Sequence, residues 1–115
     1  MPFSTAAKNT MLDALTVDRV RLHSGDPGSA GTNNTIAAYG LTAATFAAAA
    51  SGERALSSDV AFTGGAAAQS VTHWSAWSNS GPTFHGSGTI STGDVTANAA
   101  GEYTLKAANT KLALS

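Results

Sequence analysis

The side chains that could do chemistry here are three histidines, seven carboxylates and many hydroxyls, with no cysteine among them. His23, His73 and His85 all fall in stretches that read as extended. They lack the i, i+4 helical spacing of a zinc enzyme and a companion thiolate. A pairing of strands that set His73 beside His85 would offer two imidazoles to a metal, yet strand histidines that bond backbone or solvent are the commoner arrangement. No metal is expected. Ser, His and Asp are all present, but no Gly-x-Ser-x-Gly elbow introduces a nucleophile, and Gly86-Ser87-Gly88 reads as strand packing. Ser24-Gly25-Asp26-Pro27-Gly28 lacks the Lys-Ser/Thr that completes a phosphate loop, so it matches turn chemistry alone. Asp26 with Asn33 and Asn34 offers oxygens to calcium, but one carboxylate makes a weak site. The remaining carboxylates sit in turns or on outward positions, where solvated charge is the default. No catalytic set and no cofactor are expected.

These residues are carried by a first helix and then one short β-run after another. Ser4 can cap a helix, and Phe3, Ala7, Met11 and Leu15 recur on one side, which predicts an amphipathic helix over residues 4–15 that closes one end of a β-core. From Thr16 the period changes to two. Val20 and Leu22 point inward while Arg19, Arg21 and His23 point outward. The long polar loop from Ser24 to Asn34 follows, and loops of that length in a small domain tend to carry contacts. Leu41–Ala48 reads as a strand despite its alanines. Arg54–Ser57 and Asp59–Phe62 read as a strand pair or one bent strand, with Val60 and Phe62 inward.

Val71–Ser78 places Val71, His73, Ser75 and Trp77 on one face and Thr72, Trp74, Ala76 and Ser78 on the other. The face shared with Val71 makes Trp77 the core candidate and leaves Trp74 toward an interface. Phe84, Gly86, Gly88 and Ile90 share one side of the next run, where glycine lets a bulky neighbour such as a Trp lie flat on the backbone. Val95–Asn98, Tyr103–Lys106 and Lys111–Leu114 complete about seven to nine short strands. The fold class is mostly β: a small antiparallel sandwich with one short N-terminal helix, forming a single domain over residues 1–115.

Leu, Ile, Val and Phe fill only about a sixth of the positions, whereas Ala, Thr, Ser and Gly fill more than half. A core so thin gains from burying further surface against copies of the same chain, because small domains obtain only a few kcal/mol from their own core. A homo-oligomer, specifically a trimer, is expected. With six basic against seven acidic residues and no basic cluster, nucleic-acid binding lacks its electrostatic footprint. The opening Met-Pro-Phe-Ser-Thr-Ala-Ala-Lys has no apolar run behind a basic end, and no stretch approaches a membrane span, so neither a secretory signal nor a membrane role is expected.

The order of a helix, Leu22-His23-Ser24-Gly25-Asp26-Pro27-Gly28, Arg54-Ala55-Leu56-Ser57-Ser58-Asp59-Val60-Ala61-Phe62, and Val71-Thr72-His73-Trp74-Ser75-Ala76-Trp77-Ser78 leading to Gly86-Ser87-Gly88 resembles small structural proteins of tailed bacteriophages. These are tail-fibre-like or minor tail proteins, and similar folds serve as head decoration. Where such chains introduce the second strand with Tyr-Ala-Arg, this one has Ala38-Tyr39-Gly40-Leu41, so no contact of that arginine is carried over. The resemblance implies a non-enzymatic, multi-copy protein of the virion, assembled in the host cytoplasm. Its partners would be further copies, other tail or capsid proteins and, at the surface, a host glycan. Capsid decoration and a carbohydrate-binding module are the competing readings, the latter with Trp74 or Trp77 as its stacking platform. The expected interaction surface comprises Trp74 and the loop residues Asp26, Pro27, Asn33 and Asn34.

Overall fold

The computed structural model describes residues 4–90, 96–107 and 110–113. Phe3, the turn at 91–94, Val95 and Leu114, all used in the sequence reading, lie outside the described residues. Among the described residues the chain runs α1 (Thr5–Asp13), β1 (Arg19–His23), β2 (Thr42–Ala43), β3 (Glu53–Ala55), β4 (Val60–Phe62), β5 (His73–Ser78), β6 (Thr83–Thr89), β7 (Tyr103–Leu105) and β8 (Lys111–Ala113). The fold is mostly β and antiparallel, with one short helix at its start.

Four strands form the main sheet in the order β2-β1-β5-β6, and two ribbons, β3-β8 and β4-β7, complete the pairing. On one face of the main sheet Leu22 stands opposite Trp74 and Val20 opposite Ala76. That face meets Leu56, Val60, Phe62, Tyr103, Leu105 and Leu112 of the ribbons and their flanks in one apolar cluster, which gives two layers with the second split in two. Tyr39 packs on the β4–β7 ribbon. Its ring meets Phe62 edge-on at 5.8 Å, and its buried hydroxyl donates to the Gly101 carbonyl at 2.7 Å.

The helix is capped as expected, the Ser4 hydroxyl accepting from the Ala7 amide at 3.2 Å. Its buried residue is Leu12, however, while Ala7, Met11 and Leu15 are half-buried. Polar tethers set this orientation. Asn9 Oδ1 accepts from the Gly52 amide at 2.9 Å and Asp13 Oδ1 from the Ala49 amide at 2.7 Å. Arg54 Nη1 donates to the carbonyls of Leu12 (3.2 Å) and Leu15 (2.8 Å), and its Nε to that of Ala47 (3.1 Å). A cation thus sits at the negative end of the helix and adds to the 3.1 Å bond that the Leu15 amide already makes to the Leu12 carbonyl.

Three strand assignments are corrected. Leu41–Ala48 contributes only Thr42–Ala43 to the sheet, after which the chain leaves β1 and Phe46 bridges to Leu56. The segments around β3 and β4 do not pair with each other, because each recruits a C-terminal partner instead, β8 and β7. In β6 a bulge at His85 places Phe84 opposite Trp77 while Gly86 stays opposite Ala76, so Phe84 turns to the face away from Gly86 and Gly88. Val60 and Phe62 do point inward as the alternation requires.

Candidate functional site

The second face of the main sheet carries the chemistry-bearing residues, and it is covered at His23, Ser75 and Trp77 while Ser87 and Thr89 of β6 stay exposed. Strand alternation places His23 and Arg21 of β1 on this face with Ser75 and Trp77 of β5. Over them folds the loop from Ser24 to Thr35. It is pinned to β1 at both ends, the Ser24 amide donating to the Asn34 carbonyl at 2.9 Å and the Ile36 amide to that of Leu22 at 3.0 Å. Phe84 packs tilted against Trp77 with ring centroids 5.3 Å apart and planes at 54°, and its ring occupies the space a β-carbon at Gly31 would need. The alternation placed His23 outward. It is instead fully buried, because the loop makes a second interior on that side.

Inside lies a chain of hydrogen bonds. Asn33 contributes a carbonyl, which only accepts, so at 2.9 Å the His23 Nδ1 must carry the proton that binds it. In the neutral ring Nε2 is then the acceptor, and the Ser75 hydroxyl donates to it at 2.7 Å. Trp77 Nε1–H in turn donates to the Ser75 oxygen at 2.7 Å. Burial, the largest influence, holds the His23 ring below its ordinary pKa of 6.5. The neighbouring Arg21 and His73 act in the same sense, against the Asn33 hydrogen bond. The ring is therefore neutral at pH 7, as this tautomer requires.

A hydroxyl donating to an imidazole is the first half of a nucleophile–base pair. Here it has no further use as one. Ser75 and His23 are both 0 % exposed, a backbone carbonyl stands where an orienting carboxylate would, and the Ser75 oxygen already accepts the indole N–H. No substrate carbonyl fits within reach of that oxygen without dismantling the sheet's cover. The arrangement orders the loop on the sheet.

His73 and His85 are not brought side by side. His73 stands opposite Thr89 of β6 and His23 of β1, and it shares a 2.9 Å hydrogen bond with the Thr72 hydroxyl. His85 sits at the bulge beside a hollow formed with the end of α1 and Ser78. Among the described residues no three His, Cys, Asp or Glu side chains gather as a metal site would need. Of the hollows in the surface, those of about 490 Å³ and about 430 Å³ are lined by the β2–β4 segments and by the β4–β7 ribbon with Asn98 and Glu102, away from the His23–Ser75 pair.

The expected interaction residues divide. Asp26, Asn33 and Asn34 are exposed and held by local bonds: Asp26 Oδ1 accepts from the Gly28 amide at 2.9 Å, Asn34 Nδ2 donates to the Asp26 carbonyl at 3.0 Å, and the Asn33 amide donates to that of Pro27 at 2.9 Å. Pro27 is buried beneath them. Trp74 is corrected outright. It is 2 % exposed in the main core, 6.3 Å from the Phe46 ring, whereas Trp77, the expected core residue, lies on the second face under Phe84 and Arg21. The two indoles do project to opposite faces, but the loop covers the one that faces away from the core, and neither is free to stack on a sugar. Sequence reasoning missed Ser75 and Arg54. A serine two residues before Trp77, and one arginine among the alanines, were the available signals.

No protein-family model, curated protein or solved structure matches the chain.

Proposed function

We propose that this chain is a non-enzymatic structural protein of a tailed bacteriophage particle, associated with the tail or its fibres, acting as a homo-oligomer with a trimer as its working unit. One observation carries the reading: of the segments that resemble phage structural proteins, Leu22–Gly28 opens the clasped loop and Val71–Ser78 supplies the strand beneath it, and the nucleophile–imidazole pair they contain is sealed between them. Residues with reactive potential are spent on holding a surface in shape. On that surface Asp26, Asn33 and Asn34 are pre-organised by their own backbone bonds, which lowers the entropy lost when a partner docks. Elsewhere the exposed side carries small residues such as Ala43, Ala47, Ala48 and Ala50, suited to close approach of another copy, with the Glu53–Lys111 ion pair beside them.

The test is the mass of the isolated chain in solution. Light scattering over a dilution series is expected to give three chain masses that fall to one only at high dilution. A chain that is monomeric at every concentration removes the homo-oligomer, and with it the thin-core argument for assembly.

A further inference from the structure

We propose that His23 is the pin of a pH-sensitive clasp, such that a proton taken up by its ring on mild acidification releases loop 24–35 from the sheet while the core on the opposite face stays folded. The inference concerns the loop's own contacts with the sheet and does not rest on the proposed function.

His23 joins the middle of the sheet to the far end of the loop: Ser75 of β5 on Nε2 and the Asn33 carbonyl of the loop on Nδ1. With the neutral ring every bond of this hydrogen-bond chain is 2.9 Å or shorter. Once protonated, Nε2 must donate, and it meets an oxygen that already accepts the Trp77 N–H. The Ser75 hydroxyl then has to turn its hydrogen to the Arg21 carbonyl, 3.5 Å away, beyond the usual range for an O–H donor.

The charge itself is also unwelcome. Arg21 on the same strand and His73 directly across on β5 are the titratable groups nearest the ring, and both repel an imidazolium. β6 brings Ser87 and Thr89 to this face, opposite Ser75 and His73, without a charge. The loop brings one carboxylate, Asp26, exposed and engaged with the Gly28 amide. The Asn33 carbonyl alone among these contacts favours the charged ring, and burial outweighs it. Since the loop is what keeps water from the ring, hydrating an imidazolium means lifting the loop. The opposite face, with Val20, Leu22, Trp74 and Ala76, does not depend on it.

The sign follows from the lowered pKa. The closed clasp is fully stabilised above the unfolded value of 6.5 and loses that stabilisation as pH falls through the folded one. The test is amide hydrogen exchange by NMR on the full chain from about pH 8 to about pH 5, expressed as protection relative to the intrinsic rate at each pH, with the ring proton shifts of all three histidines followed in parallel. Protection across residues 24–35 is expected to fall several-fold with the midpoint of His23, while Leu22 and Ala76 keep theirs. His23→Gln is expected to leave loop protection independent of pH. Loop protection that ignores pH, follows His73 or His85, or falls together with that of Leu22 and Ala76 would overturn the proposal. If His23→Gln does not fold, the wild-type comparison of ring titration with loop protection still decides between these results.

Discussion

Trp74 and Gly88 face each other across β5 and β6, and a β-carbon at residue 88 would stand 2.8 Å from the indole nitrogen. The indole lies on the glycine backbone, within the main core. Gly88→Val is therefore expected to destabilise the fold by about 1–3 kcal/mol through overpacking. Trp74→Ala is expected to cost about 3–5 kcal/mol as a core deletion, and Trp77→Ala less, because its indole lies under a loop and not in the main cluster. Urea denaturation of the three variants checks the order; a Trp74→Ala protein as stable as the parent would contradict this packing.

Ser75→Ala removes the one oxygen that the His23 ring and the Trp77 N–H share. Two buried polar groups then lack partners, and a loss of about 1–3 kcal/mol is expected. Thermal unfolding measures it. A neutral Ser75→Ala would mean that the hydrogen-bond chain does not hold the loop.

Arg54→Gln is expected to free the end of α1, with a loss of about 1–3 kcal/mol, since a charged donor leaves the Leu12 carbonyl in the helix, that of Leu15 just beyond it and that of Ala47 in the neighbouring loop. Circular dichroism together with exchange at residues 10–14 reads the fraying. Unchanged helix protection would show that Leu12 alone seats the helix.

Much of this architecture was legible from local pattern. The Ser4 cap, the alternation of Val20 and Leu22 and the close approach at Gly88 each follow from stereochemistry acting within a few residues. Three features needed the tertiary structure. His23 alternates outward by sequence, and only the return of the loop makes its side an interior. Trp74 and Trp77 are told apart by which face the ribbons cover, and Val71 could not indicate that. The bulge at His85 reverses Phe84, and no composition signal marks it. The Ser75–His23 pair joins residues 52 positions apart, so it is written in the register of β1 and β5 and in no local motif.

The pH dependence of global stability should carry the same signature as the clasp. His23 takes up a proton more readily in the unfolded chain, so its contribution is complete above pH 6.5 and is lost as pH falls through the folded value. Denaturation midpoints are expected to decline from about pH 7 to about pH 5, and to decline less in His23→Gln. Equal slopes in both proteins would assign the decline to other groups.

The most direct test of the structural role is mass spectrometry of purified tailed particles from cells that encode this chain, combined with antibody labelling in the electron microscope. The chain is expected in several copies per particle, with label at the tail or its fibres. Label over the head would move it to capsid decoration, and its absence from intact particles would contradict a virion role altogether.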